Sequence, residues 1–368
     1  LGKGESLLSK IASSLEKGVV GLDIGASAVK VCQLSLQGKS SYVVKNFGYR
    51  PLPEGIFIDS NIVKPEELIG AIEEAVKNSA LKARQVSFGL GGQQVVVRKM
   101  KSPKGKKAEV EDQVAWEAEQ FIPFGADKSV VGVHILGPSD KDNFDVIMAA
   151  GKIDVIQSFE DVIKSSGLNP KVIDLQFLAV LNVFELSYAE SLNELKKGTL
   201  LIDFGAQFTK VIVYKDGAPL LARAIAIGGI NVTEEIQKEI GLTFQEAEDL
   251  KLTRDDQGNF PEEIAPIIAR CREELIKNVV DSISFYTSQT AQDKIHNCFI
   301  TGGNLQLPGL IEELASAIGL AVEILDPLRK IKIKKKLSAE LLDQLTYISA
   351  VSIGLALRSF DIPYKEKV

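Results

Sequence analysis

The chain has 368 residues, 45% of them hydrophobic and 25% charged, enough to bury a large core and ordinary for a globular protein of more than one domain. Lys and Arg number 43 against 49 Asp and Glu, and the formal net charge of −6 provides no broad basic field for nucleic acid. Two histidines, His134 and His296, and three cysteines without Cys-x-x-Cys spacing speak against a zinc site or a Ser-His-Asp hydrolase, and the odd thiol count suits a reducing compartment.

Residues 1–18 form an N-terminal extension in which Leu7, Leu8, Ile11 and Leu15 stand at helical spacing among Lys3, Lys10 and Lys17. That spacing suits a short amphipathic helix, read as a frayed end or a helix packed on the body of the protein rather than as a membrane or partner anchor, and the stretch is too polar for a signal peptide. No apolar run approaches the ~18 residues that cross a bilayer, so the protein is expected to stay on the side where it is made. The first domain starts over 19–92 with a hairpin at 19–36, a third strand near 40–49 and a helix at 65–80. Leu68, Ile72, Ala75 and Val76 share one face of that helix, and a buried strand follows from Val86.

An inserted module is predicted over 93–170. It has a strand at 95–100, a basic loop at 99–107, a helix at 109–120, strands at 129–136 and 143–151, a helix at 154–166 and a strand at 171–174. Val110, Val114, Trp116 and Phe121 are expected as core positions. A connecting helix at 177–192 lies in the second part of the first domain, 171–197. The second domain, 198–340, begins with another hairpin and continues with a strand at 219–227 and helices at 231–241, 244–252 and 262–291. A strand at 296–301 then runs into Gly302-Gly303, followed by a helix at 308–318 and a strand at 321–324. The basic run Arg329 to Lys336 reads as a solvated loop. A final helix at 343–358, within 341–368, is expected to return to the first domain.

One pattern in this chain occurs twice: Gly21-Leu-Asp-Ile-Gly-Ala-Ser-Ala-Val-Lys-Val31 and Leu201-Ile-Asp-Phe-Gly-Ala-Gln-Phe-Thr-Lys-Val211. Asp, Gly and Lys fall at equal offsets between β-branched residues, as in a hairpin whose turn wraps something small and anionic. Gly25 and Gly205 allow close backbone approach, and Ser27 and Thr209 can add donors. A carboxylate cannot hold a phosphate itself, but Asp23 and Asp203 can orient the waters of a Mg²⁺ ion that neutralises one. The pair reads as a Mg-nucleotide site between two related domains.

These residues resemble the actin, MreB, FtsA and heat-shock chaperone superfamily of ATPases. The resemblance implies an α/β actin-like ATPase fold, two duplicated domains around a nucleotide cleft that binds ATP or ADP with Mg²⁺. Asp23, Gly25, Ala26, Ser27 and Lys30 fall on its first phosphate motif, and Asp203, Gly205, Ala206 and Thr209 on its second. Gly302, Gly303 and Asn304, with Gly228 and Gly229, resemble its adenosine-binding turns. Glu248 and Lys251 match a helical pair that reaches the ribose and base, or form an exposed salt bridge. The superfamily's water-positioning Glu or Gln has no clean counterpart in Val172-Ile-Asp-Leu-Gln-Phe-Leu-Ala179, so Asp174 or Gln176 would take that role and turnover would be slow or absent.

Within the superfamily, the stretch Glu109-Val-Glu-Asp-Gln-Val-Ala-Trp-Glu-Ala-Glu-Gln-Phe-Ile-Pro-Phe124 resembles the PilM family of the type IV pilus inner-membrane platform. An FtsA-type subdomain, inserted in the first domain, is implied at 93–170. The family resemblance implies a cytoplasmic scaffold for pilus assembly and twitching motility, peripheral at the inner membrane. Its implied partners are the N-terminal cytoplasmic tail of a PilN-like membrane protein, other platform or motor proteins, and further copies of itself. The alternatives are an FtsA-like division protein, expected to end in an amphipathic membrane helix where this sequence reads Ile362-Pro-Tyr-Lys-Glu-Lys-Val368, and a component of a type II secretion platform.

Overall fold

Continuous apolar runs become the central strands of two sheets, as strands covered on both faces require. The computed structural model describes residues 19–360 apart from 39–40, 59, 189–197, 257, 290–293 and 334–338. The expected N-terminal helix, Lys334 to Lys336 of the basic run and the tail at 361–368 lie outside the described residues.

The first segment contains β1 (Val20–Ile24), β2 (Ala28–Gln37), β3 (Ser41–Pro51), a short hairpin of β4 (Phe57–Ile58) and β5 (Asn61–Ile62), α1 (Pro65–Asn78) and β6 (Gln85–Leu90). Next come β7 (Val95–Pro103), α2 (Lys107–Ala118), β8 (Ser129–Pro138) and β9 (Asn143–Lys152), then α3 (Ile153–Ser165), β10 (Asn169–Leu175) and α4 (Gln176–Tyr188). The remainder is β11 (Gly198–Phe204), β12 (Thr209–Lys215), β13 (Ala218–Ile225), α5 (Gly229–Ile240), α6 (Phe244–Leu252), α7 (Ala265–Gln289), β14 (Ile295–Thr301), α8 (Leu310–Ile318), β15 (Val322–Ile324), β16 (Ile331–Ile333), α9 (Ala339–Ile348) and α10 (Ala350–Leu357).

The duplication seen in the sequence is a duplication of topology. One sheet has the order β10-β6-β1-β2-β3-β16 and the other β13-β12-β11-β14-β15. In each, the first strand pairs antiparallel with the second and parallel with a later strand, β6 or β14. Alternate residues of β11 face different cores: Leu200, Ile202 and Phe204 join the cluster of the second domain, and Leu201 joins the larger cluster built on the first. Between the sheets runs α4, whose Phe184 ring lies 5.5 Å from Tyr214 and 5.3 Å from Phe299.

Four sequence expectations change. Strand β7 continues through the supposed basic loop to Pro103 because Met100 to Pro103 pair with Val146 to Asn143 of β9. Trp116 is 65% exposed rather than core, since α2 turns Val110, Val114 and Ala118 toward Val146, Met148 and Ala150 of the three-stranded sheet β7-β9-β8. Part of the basic run is a strand: β16 adds parallel to β3 at the sheet edge. The final helix is two helices broken at Ser349, whose hydroxyl and amide both bond back to the Leu345 carbonyl. Its second half, apolar on nearly every side, is buried and returns to the first domain against β1 and α4. Helix α3 and β10 also belong to this first core and sheet, leaving 95–152 as the separately packed piece.

Candidate functional site

Each hairpin closes on the same hydrogen bond: Gly25 N–H to Ala28 O, and Gly205 N–H to Phe208 O, both 3.1 Å. The strand register sets Asp23 opposite Lys30 and Asp203 opposite Lys210. Their side chains pair accordingly. Lys30 Nζ donates to Asp23 Oδ2 at 3.1 Å, and Lys210 Nζ to Asp203 Oδ2 at 2.7 Å. Burial pushes the Lys30 ammonium down, but Asp23 beside it, with Tyr49 and Asp203, holds it above its ordinary value. Asp203, on the second hairpin, is the smallest of these contributions. Lys210 was missed as a site residue although its offset from Asp203 repeats that of Lys30 from Asp23.

The second hairpin carries the start of α5. Gly229 N–H donates to Gly205 O at 3.1 Å and Ile230 N–H to Ala206 O at 2.8 Å. A Cβ on Gly228 would stand 2.4 Å from Ala206 O, so only glycine permits this contact. Thr209 is fully buried and donates its hydroxyl to Ile227 O at 2.8 Å, which holds the strand end on the hairpin rather than offering a donor to the cleft. Ala26 and Gly25 are half-buried and Ser27 is exposed at the first turn.

A third group assembles around Gly229. Lys251 Nζ donates to Gly229 O at 3.1 Å, Thr233 Oγ1 at 2.8 Å and Glu248 Oε2 at 2.5 Å. An ammonium has three protons, so Lys251 is fully committed, and its pair with Glu248 is part-buried, with 31% of the glutamate side chain exposed. Burial lowers its pKa, and Glu248 partly restores it. A Cβ on Gly229 would lie 3.0 Å from Asn304 Oδ1 and 3.8 Å from Lys251 Nζ. Asn304 follows Gly302 and Gly303, and its Nδ2 is buried with no hydrogen-bond partner. An orphan donor of this kind is satisfied when a ligand brings an acceptor, and on this ground the cleft fits a nucleotide.

Gln176 opens α4, and its amide lies against Gly91. A Cβ on Gly92, next in the chain, would meet the Phe208 ring of the second hairpin at 2.9 Å. Gln176 therefore lies close to the place where Gly92 meets the second hairpin. Asp174 is turned to structural partners: Oδ1 accepts from Leu175 N–H at 2.7 Å, and Oδ2 pairs with Arg358 Nε at 3.2 Å. Sequence reasoning missed Phe208 and Arg358, and only the repeat carried any signal for the former.

The donor set suits a hydrated Mg²⁺ poorly. Each aspartate expected to order its waters already carries a lysine ammonium. Two unit charges 4 Å apart interact by about 4 kcal/mol at an effective dielectric of 20, so each ammonium offsets the attraction that its aspartate would offer a dication. Among the described residues no group of three or more His, Cys, Asp or Glu side chains could hold a metal directly.

Comparison with known proteins bears on this geometry. The family model described as type IV pilus assembly protein PilM matches residues 21–360. The structure of a PilM-PilN type IV pilus biogenesis complex superposes with a TM-score of 0.83 at 27% identity, covering 94% of this chain and 99% of the other. The ethanolamine utilization protein EutJ from Carboxydothermus hydrogenoformans shares the fold at 13% identity, with a TM-score of 0.56 over 92% and 89% of the two chains. The cell division protein FtsA of Bacillus subtilis (strain 168) is 22% identical, covering 84% of this chain and 78% of its own.

Proposed function

Because the chain belongs to the type IV pilus assembly PilM family and has the actin-like ATPase fold, we propose that it works as a nucleotide-binding scaffold of the pilus platform. ATP or ADP would lie between the two hairpins. The turns at Gly25 to Ser27 and at Gly205 and Ala206, with Lys30, would hold the phosphates. Gly228, Gly229, Glu248 and the Gly302 to Asn304 turn would hold the ribose and base. Lys251 acts one layer behind, fixing Glu248 and the Gly229 carbonyl. The observation that carries the reading is the pair of hairpins, alike in turn bond, register and buried side-chain pair. The nucleotide, when bound, supplies a differential affinity that favours one arrangement of the domains.

The partner in this reading is the N-terminal cytoplasmic tail of a PilN-like membrane protein, captured as an extended peptide between the three-stranded module and the first domain. The similar structure is of a PilM-PilN complex, and the exposed Trp116 on α2 gives the module an apolar contact of its own. No helix among the described residues is long and apolar enough to cross a membrane, so attachment at the inner-membrane face would come through this partner, with motor proteins and further copies as additional contacts. Calorimetric titration with a PilN-type tail peptide, with and without ATP, tests the proposal. Binding in the low micromolar range or tighter supports it, and no heat with either ligand rejects it.

A further inference from the structure

Resting on the nucleotide reading above, we propose that Lys210 occupies the role a metal ion would have in this cleft. The phosphates of an uncomplexed nucleoside triphosphate are then held between two ammonium groups, Lys30 and Lys210, one from each hairpin.

Three observations lead there. The pairs are equivalent: each lysine stands opposite its aspartate in register, and each ammonium lies 3.7 Å from where a Cβ on its turn glycine, Gly25 or Gly205, would be. Both cations are therefore at the foot of the turn that wraps the anion. Both pairs are also withdrawn from water, with side-chain exposures of 13% and 5% for Lys30 and Asp23 and 8% and 7% for Lys210 and Asp203. Surface ion pairs of long side chains are loosely held, whereas these are fixed. Among the described residues each ammonium makes one hydrogen bond, to its aspartate, which leaves protons for phosphate oxygens. The contrast with Lys251, whose three protons are all committed, separates a structural lysine from two that can bind.

The charge balance agrees. Two aspartates and two lysines sum to zero, so a polyphosphate meets no uncompensated carboxylate, and its attraction comes from hydrogen bonds of the two ammonium groups rather than from a net positive charge. The carboxylates then act as positioning groups for the lysines. A second lysine at this place also explains why the donor set suits magnesium poorly.

The test is calorimetric titration of ATP into the full chain in excess EDTA and in excess MgCl₂. The expected affinity in EDTA is within about threefold of that in magnesium, Lys210→Met weakens binding in EDTA by about tenfold or more, and Lys210→Arg retains it. Should Lys210→Met fail to fold with Asp203 left unpaired, the double variant Asp203→Asn with Lys210→Met removes both charges and is measured instead. A wild type that loses tenfold or more in EDTA overturns the inference while leaving the nucleotide reading intact. Unchanged EDTA affinity in the folded methionine variant also overturns it. Absence of binding in either buffer removes the nucleotide reading and this inference together.

Discussion

The Tyr214 hydroxyl donates to Glu185 Oε1 at 2.7 Å, joining a strand of the second sheet to the helix that runs between the sheets. Burial raises the Glu185 carboxyl above its ordinary 4.5, and the bond from Tyr214 and the charge of His134 only partly oppose the shift. The folded state thus holds this proton more tightly than the unfolded chain does. Stability from this group is fully present below the unfolded value and is lost as pH rises through the higher folded value. Glu185→Gln keeps the acceptor and removes the charge. Its melting temperature should exceed that of wild type at pH 7, with the gap closing toward pH 4, and a gap independent of pH would refute the account.

Helix α10 crosses α4 with no space between backbones. A Cβ on Gly354 would stand 1.9 Å from Ala179 O, whereas one on Gly70 in α1 meets nothing within 4 Å. Gly354→Ala should lower unfolding free energy by about 3 kcal/mol, and Gly70→Ala should raise it by roughly 0.5–1 kcal/mol through helix propensity. Urea denaturation of the two variants measures both.

Hydrolysis, if the nucleotide reading holds, is expected to be slower than ~1 s⁻¹, with Gln176 the residue on which it depends. Gln176→Ala should reduce phosphate release by about tenfold or more while ATP affinity stays within about twofold, because a water-positioning group acts mainly on the reaction. Asp174→Asn removes the charge that pairs with Arg358. It should cost some stability and leave phosphate release unchanged.

The thiols should separate by burial. Cys32 and Cys298 are buried and pushed up to about 12, and Cys271 is half-buried and also raised, mainly by burial. The thiolate is the reactive form. One thiol should therefore react with a disulfide reagent in the native protein, faster as pH rises, and the other two only after urea is added. Mass mapping of the first adduct to Cys32 or Cys298 would contradict this.

Trp116 is the one tryptophan of the chain and is 65% exposed. Its fluorescence should resemble that of tryptophan in water and be quenched readily by acrylamide. If the inserted module receives the partner tail, peptide binding should shift the emission to the blue and reduce quenching; Trp116→Ala should weaken the peptide by about tenfold, as loss of an interface tryptophan commonly does.

What was legible in the sequence was local. The runs at 20–24 and 198–204 read as strands because their side chains are apolar apart from Asp23, Thr199 and Asp203. The two hairpins read as equivalents because a turn and its flanking pair, Asp23 with Lys30 and Asp203 with Lys210, lie within a few residues of one another. The amphipathic face of α1 was equally plain, since Leu68, Ile72 and Val76 are one helical turn apart. The remaining features depended on surfaces far along the chain. Trp116 stands outside its core because the sheet takes the opposite face of α2, and β16 is a strand because the open edge of β3 pairs with it. Asp174 meets Arg358 only after α10 has returned to the first sheet. Periodicity reports which side of an element is apolar. Only the packed structure decides which neighbour covers that side and which buried charge finds its partner, because those depend on which distant surfaces are brought together.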